Sequence, residues 1–146
     1  APNAPFVYCI PRINSIGCMP VVSFSGTPSV TLVGAFNLSA SNLLNGQFGT
    51  LFYSLAGPDN APFLGGWRCV RSPFWRMAPS STGGSGVGID CTGSLVRDFN
   101  NWIQNGLDPQ LVAGVEVWAQ FYSRDPGLPA PNNVNLTEAI DFLIQP

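Results

Sequence analysis

The sequence predicts an all-β fold: a β-sandwich, Ig-like or jelly-roll-like, with one short helix and two local disulfides. Three observations carry this. Short runs of alternating apolar and polar residues recur between Gly and Pro, as strands bounded by turns do. One stretch, "DFNNWIQNG", has a helical period. Four cysteines, Cys9, Cys18, Cys69 and Cys91, are spaced as neither a zinc site nor a redox Cys-x-x-Cys would space them.

Residues 1–7 read as an extended N-terminal arm, and 8–146 as the sandwich. In "VVSFSG", Val22 and Phe24 share a face. In "SVTLVG", Val30 pairs with Leu32. In "AFNLSAS", Phe36, Leu38 and Ala40 oppose Asn37 and Ser39. "GTLFYSLAG" is apolar on both faces and reads as a central strand covered twice. "GWRCVRSPF", "GSLVRDF", "VEVWAQFYS" and "EAIDFLIQ" continue the series.

The helix places Phe99, Trp102 and Ile103 at i, i+3 and i+4, with Asp98 as N-cap and Gly106 as C′ residue. Asp108-Pro109 signals one further helical turn. Such turns between strands suit a crossover from one sheet to the other. The Gly-rich segment 80–88 reads as a flexible hairpin tip, since it lacks the Lys-Ser/Thr ending of a phosphate loop. "RDPGLPAPNN" reads as a long irregular loop stiffened by its prolines.

Of the three ways to pair the cysteines, Cys9–Cys18 with Cys69–Cys91 closes two local loops, each with turn residues inside it. Each bridge would contribute about 2–4 kcal/mol through the unfolded state. Disulfides imply an oxidising compartment. The chain begins with Ala1, which suggests a processed N-terminus.

The 146 residues make one ordinary domain. Only 10% are charged, against about 25% in soluble domains, and the net charge is −2. Such a surface repels its own copies weakly. The basic residues are six scattered arginines, with no lysine, so nucleic acid is not an expected partner. There is no histidine, hence no ordinary proton shuttle and no common metal ligand. No metal and no cofactor are expected. No apolar run reaches the length of a membrane span.

Catalysis finds little support. Asp98 and Asp108 read as helix caps, Asp59 and Asp125 as turn residues, and only Glu116 sits mid-strand. No histidine can activate a serine. No catalytic residue is therefore assigned. "VEVWAQFYS" is more informative. Val115, Val117, Ala119 and Phe121 form a core face. Glu116, Trp118, Gln120 and Tyr122 form a face that suits a sugar platform, an interface core, or a second buried layer.

With these motifs in place, the chain resembles a β-rich module found at the C-terminal ends of large secreted proteins of planctomycetes and related bacteria. The resemblance rests on "YC" at 8–9 with "NSIGCMP", "FSGTPS", "LFYSLAG", "APFLGGWRCVRSP", "DCTGS" with "DFN", "LVAG", "QFYSRDPG" and "LTEAIDFLI". It implies an extracellular all-β domain with the same local disulfides, and no catalytic residues. That module is usually appended to a larger chain, whereas here only "APNAPFV" precedes Tyr8.

The expectation is a secreted, non-enzymatic structural subunit at the bacterial surface. It would assemble with copies of itself into a filament, pilus or surface layer. Its joint would be the arm, through Ala4, Phe6 and Val7, or the aromatic face around Trp118, Gln120 and Tyr122. The alternative is a secreted carbohydrate-binding module with glycan partners, using Trp118 and Tyr122; a secreted hydrolase is third.

Overall fold

A computed structural model describes residues 4–146. The strands are β1 (Phe6–Tyr8), β2 (Val21–Ser25), β3 (Asn37–Leu43), β4 (Phe48–Ser54), β5 (Pro58–Phe63), β6 (Gly66–Val70), β7 (Phe74–Arg76), β8 (Ser80–Ser81), β9 (Gly93–Asp98), β10 (Glu116–Arg124) and β11 (Val134–Leu143), and the helix is α1 (Phe99–Gln104). A six-stranded sheet runs β1-β11-β10-β4-β7, with β8 also pairing β4. A three-stranded sheet runs β2-β3-β9, and β5 and β6 form a separate hairpin. Every pairing between these strands is antiparallel.

The sandwich core lies between the two larger sheets. Val22, Leu38, Ala40, Leu43 and Leu95 of the smaller sheet pack against Leu51, Tyr53, Val117, Ala119, Phe121, Ile140 and Phe142 of the larger. The alternation in "VEVWAQFYS" delivers this directly, since successive side chains point to opposite faces. On the far face of the larger sheet, Phe52, Val70 and Leu136 form a second cluster under the β5–β6 hairpin. β4 is therefore covered on both sides, as its doubly apolar sequence requires.

Helix α1 follows β9 of the smaller sheet and precedes β10 of the larger, so it carries the expected crossover. Asp98 is its N-cap, accepting a hydrogen bond from the Asn101 backbone, and Gly106 follows with φ of 67°. Phe99 and Ile103 are buried, while Trp102 packs partly buried against the core.

Several expectations are corrected. The disulfides join Cys9 to Cys69 and Cys18 to Cys91, with sequence separations of 60 and 73. They are long-range ties, not local clamps. The turn from Asn14 to Cys18 is closed instead by backbone bonds and by Asn14 Oδ1, which accepts from Ile16 N at 3.1 Å and Cys18 N at 2.9 Å. "SVTLVG" forms no strand, and Leu32 and Val33 are exposed. Phe24 does not join Val22 in the core and is 40% exposed. Asp108-Pro109 makes a turn rather than helix: Asp108 Oδ1 accepts from Gln110 N at 3.1 Å. The Gly-rich segment is held by Asn45, whose Nδ2 donates to the carbonyls of Ser85 and Gly88 at 2.7 and 3.0 Å.

The arm also changes status. Phe6 and Val7 belong to β1, which pairs with Asp141 and Ile140 of the chain's own β11. Val7 packs against the core, and Phe6 remains 58% exposed. Residues 1–3 of the expected arm lie outside the described residues.

Candidate functional site: an aromatic cleft at the hairpin

The outer face of β10 presents Trp118, Gln120, Tyr122 and Arg124 in sequence. The structure separates their roles. Gln120 is fully buried. Its Oε1 accepts from Cys69 N at 2.9 Å, and its Nε2 donates to Trp67 O at 2.9 Å and Thr137 O at 2.8 Å. Two of these bonds hold the hairpin to the sheet and the third reaches β11 beside it, so the buried amide is satisfied inside the protein and Gln120 is not a ligand or assembly contact. Trp118 is half-buried against the cluster under the hairpin. The expected platform of Trp118, Gln120 and Tyr122 is therefore not one continuous surface.

Tyr122 does line a cavity. A cleft of about 250 Å³ is formed by Phe52, Phe63, Leu64, Phe74, Arg76, Tyr122, Arg124, Pro131, Asn133 and Val134. The sheet supplies its floor: Phe52 lies 5.5 Å from the Phe74 ring and 5.9 Å from the Tyr122 ring, centroid to centroid. The hairpin supplies one wall through Phe63 and Leu64, and the 125–133 loop supplies the other.

Arg12 fastens those walls together. Its Nη1 donates to Leu64 O at 2.7 Å, Asn132 O at 2.6 Å and Val134 O at 3.0 Å. The hairpin turn requires Leu64 and Gly65 at φ of 49° and 86°. The positive φ favours glycine, and a Cβ at Gly65, 2.6 Å from the same Arg12 Nη1, would displace the guanidinium that bonds the walls. Asp125 is buried and holds the loop at its root: its carboxylate accepts from Ser15 N at 2.8 Å, Ser15 Oγ at 2.6 Å and Gly127 N at 3.1 Å.

The electrostatics of the cleft are one-sided. Arg68 pairs with Asp59 at 3.0 Å, and its guanidinium lies 5.5 Å from the centroid of the Phe74 ring. That makes Asp59 a strand residue in β5 rather than the turn residue its local sequence suggests. The two arginines of the lining have no such partner. Arg76 Nη1 donates to Tyr122 Oη at 3.3 Å, and neither Arg76 nor Arg124 meets a carboxylate among the described residues. Among the described residues, no acid lines the cleft.

Sequence reasoning reached Tyr122 but missed Phe52, Phe63, Phe74, Arg76, Arg124 and Asn133. A signal existed for two of them. "PFWR" puts Phe74 and Arg76 on one face of β7, with Trp75 turned to the core. The position of the hairpin over that face was not readable.

Glu116 and Asp141 meet elsewhere on the outer face, where Trp118 is the register partner of Asp141. Burial, and then the neighbouring Glu116 carboxyl, push the Asp141 carboxyl up to about 7. Tyr8 stands beside them; its hydroxyl donates to Cys69 O at 2.7 Å, and burial, then Asp141 and Glu116, raise it above its ordinary range. In the core, Tyr53 donates to Asp108 Oδ2 at 2.6 Å and accepts from Trp102 Nε1 at 3.1 Å. Among the described residues no three His, Cys, Asp or Glu side chains converge as a metal site, and no helix is long and apolar enough to cross a membrane. Asn135, which opens the Asn135-Leu136-Thr137 glycosylation sequon, is buried, with its Nδ2 donating to Arg12 O at 3.0 Å. Comparison with family models, with curated proteins and with solved structures finds no match for this chain.

Proposed function

We propose that this is a non-enzymatic, secreted structural subunit that assembles with copies of itself into an extracellular filament or surface layer. One observation carries the reading. Phe6, Ile10, Ile13, Ile16 and Met19 are 58%, 70%, 51%, 47% and 51% exposed, all within one segment at the N-terminal side. Buried elsewhere, each such side chain would stabilise by roughly 1.5–3 kcal/mol. An exposed apolar series on a folded domain marks a surface that is covered in use.

The segment is also held firmly. Both disulfides leave it, from Cys9 to Cys69 and from Cys18 to Cys91. A contact built on it therefore loses little conformational entropy on association. The disulfides fit an oxidising environment, and a cell-surface location is the natural extension of that. With charged residues at 10% of the chain, electrostatic repulsion opposes assembly only weakly. The joint proposed here is this apolar segment, with Phe6 as its only contribution from the arm.

The test is size-exclusion chromatography with light scattering over a concentration series, followed by negative-stain microscopy. Concentration-dependent assemblies of regular form support the reading. A monomer at every concentration, including the highest the solubility allows, overturns it.

A further inference from the structure

We propose that the cleft between the β5–β6 hairpin and the 125–133 loop binds a uronic acid ring of an acidic polysaccharide. This goes beyond the assembly reading and does not rest on it, because the exposed apolar segment and the cleft lining share no residue.

The size of the cleft comes first. About 250 Å³ is below the roughly 300–1,000 Å³ of drug-sized ligand pockets and suits a single ring with its substituents. Over the buried floor of Phe52, the cleft is lined by the partly exposed Phe63, Phe74 and Tyr122, aromatic rings of the kind that pack on the apolar C–H side of a sugar ring. Asn133 and the Tyr122 hydroxyl supply hydrogen-bonding groups of the kind that fix ring hydroxyls.

Charge then selects among sugars. Arg76 and Arg124 are both exposed cleft residues without a carboxylate partner among the described residues, in a chain whose net charge is negative. Arg68, beside the lining residue Phe74, is already paired with Asp59. A guanidinium fork matches a carboxylate in a bidentate way that no neutral hydroxyl reproduces. A ring carrying a carboxylate meets both demands of the site, the aromatic floor and the unpaired positive charge. The walls are set before binding, since Arg12 bonds the hairpin turn to the loop. Little ordering is then left for the ligand to cause.

The experiment is titration calorimetry in physiological salt with two probes, a galacturonic acid tetramer and the neutral cellotetraose. The proteins are the wild type, Arg124→Gln and Arg76→Gln, each checked for folding by circular dichroism. The Arg124 side chain makes no hydrogen bond or ion pair among the described residues, so Arg124→Gln leaves the β10–β11 pairing in place and tests the guanidinium. The wild type should bind the galacturonic acid tetramer and show no measurable heat with cellotetraose. Arg124→Gln should weaken that binding about tenfold or more. No binding of the acidic tetramer by the wild type overturns the proposal. So does equal binding of the neutral tetramer, or unchanged affinity in Arg124→Gln.

Discussion

Gln120 holds Cys69 in place: its buried side-chain oxygen accepts the Cys69 backbone N–H at 2.9 Å, from one layer of the protein to the next. The same amide nitrogen reaches Trp67 O and Thr137 O. One side chain thus joins β6, β10 and β11, and with them the hairpin wall of the cleft. Replacing it by leucine keeps the volume and strands a buried N–H and two carbonyls. Each unpaired group costs about 1–3 kcal/mol. We predict that Gln120→Leu loses roughly 3 kcal/mol of stability, with a fall in Tm on the order of 10 °C for a chain of this size. Amide exchange at Cys69 should accelerate with it. A change in Tm of less than about 2 °C would show that the hairpin is held by its apolar contacts alone.

The disulfides give a second prediction. Non-reducing peptide mapping should recover a Cys9–Cys69 peptide and a Cys18–Cys91 peptide. Bridges closing loops of this length constrain the unfolded chain by about 4 kcal/mol each. Replacing Cys18 and Cys91 together by serine should lower stability by roughly that amount. Recovery of a Cys9–Cys18 peptide would contradict the pairing.

Much of this architecture was legible in the sequence, and the failures share a cause. Period-2 alternation located β3 and β10, and the twice-apolar run of β4 announced a strand with both faces covered. Asp98 and Gly106 marked the helix ends because caps are local chemistry. Pairing of cysteines is not local. Cys9 and Cys69 meet only because the hairpin folds back over the outer face of the larger sheet, and no short-range signal encodes that. Gln120 misled for the same reason. On an isolated strand it belongs to an exposed face, and the hairpin that buries it comes from elsewhere in the chain. "SVTLVG" alternates like a strand, yet Ser29 Oγ accepts from Thr31 N and Leu32 N and bends it into a turn.

The Asp141 carboxyl yields a pH prediction. Its ordinary value is 3.8, and in the folded chain it is pushed up to about 7. Between those values the folded state holds a proton that the unfolded state has released. Stability therefore falls as pH rises from about 4 to about 7, and levels off above. Asp59 and Asp90 shift downward and act below that window with the opposite sign. We predict a higher Tm at pH 5 than at pH 8, and a flatter profile in Asp141→Asn. A wild-type Tm that rises over this interval would contradict the environment described for Glu116 and Asp141.

Self-association through the disulfide-tied apolar segment is tested by sedimentation velocity on a matched pair of proteins. The pair is the wild type and a variant with Ile10→Ser, Ile13→Ser and Ile16→Ser. These side chains are all exposed, so their loss leaves the core intact. We predict that the wild type sediments as a concentration-dependent series of oligomers, while the variant, equally folded, shifts to monomer. Identical distributions for the two proteins, whether both assembled or both monomeric, would contradict it.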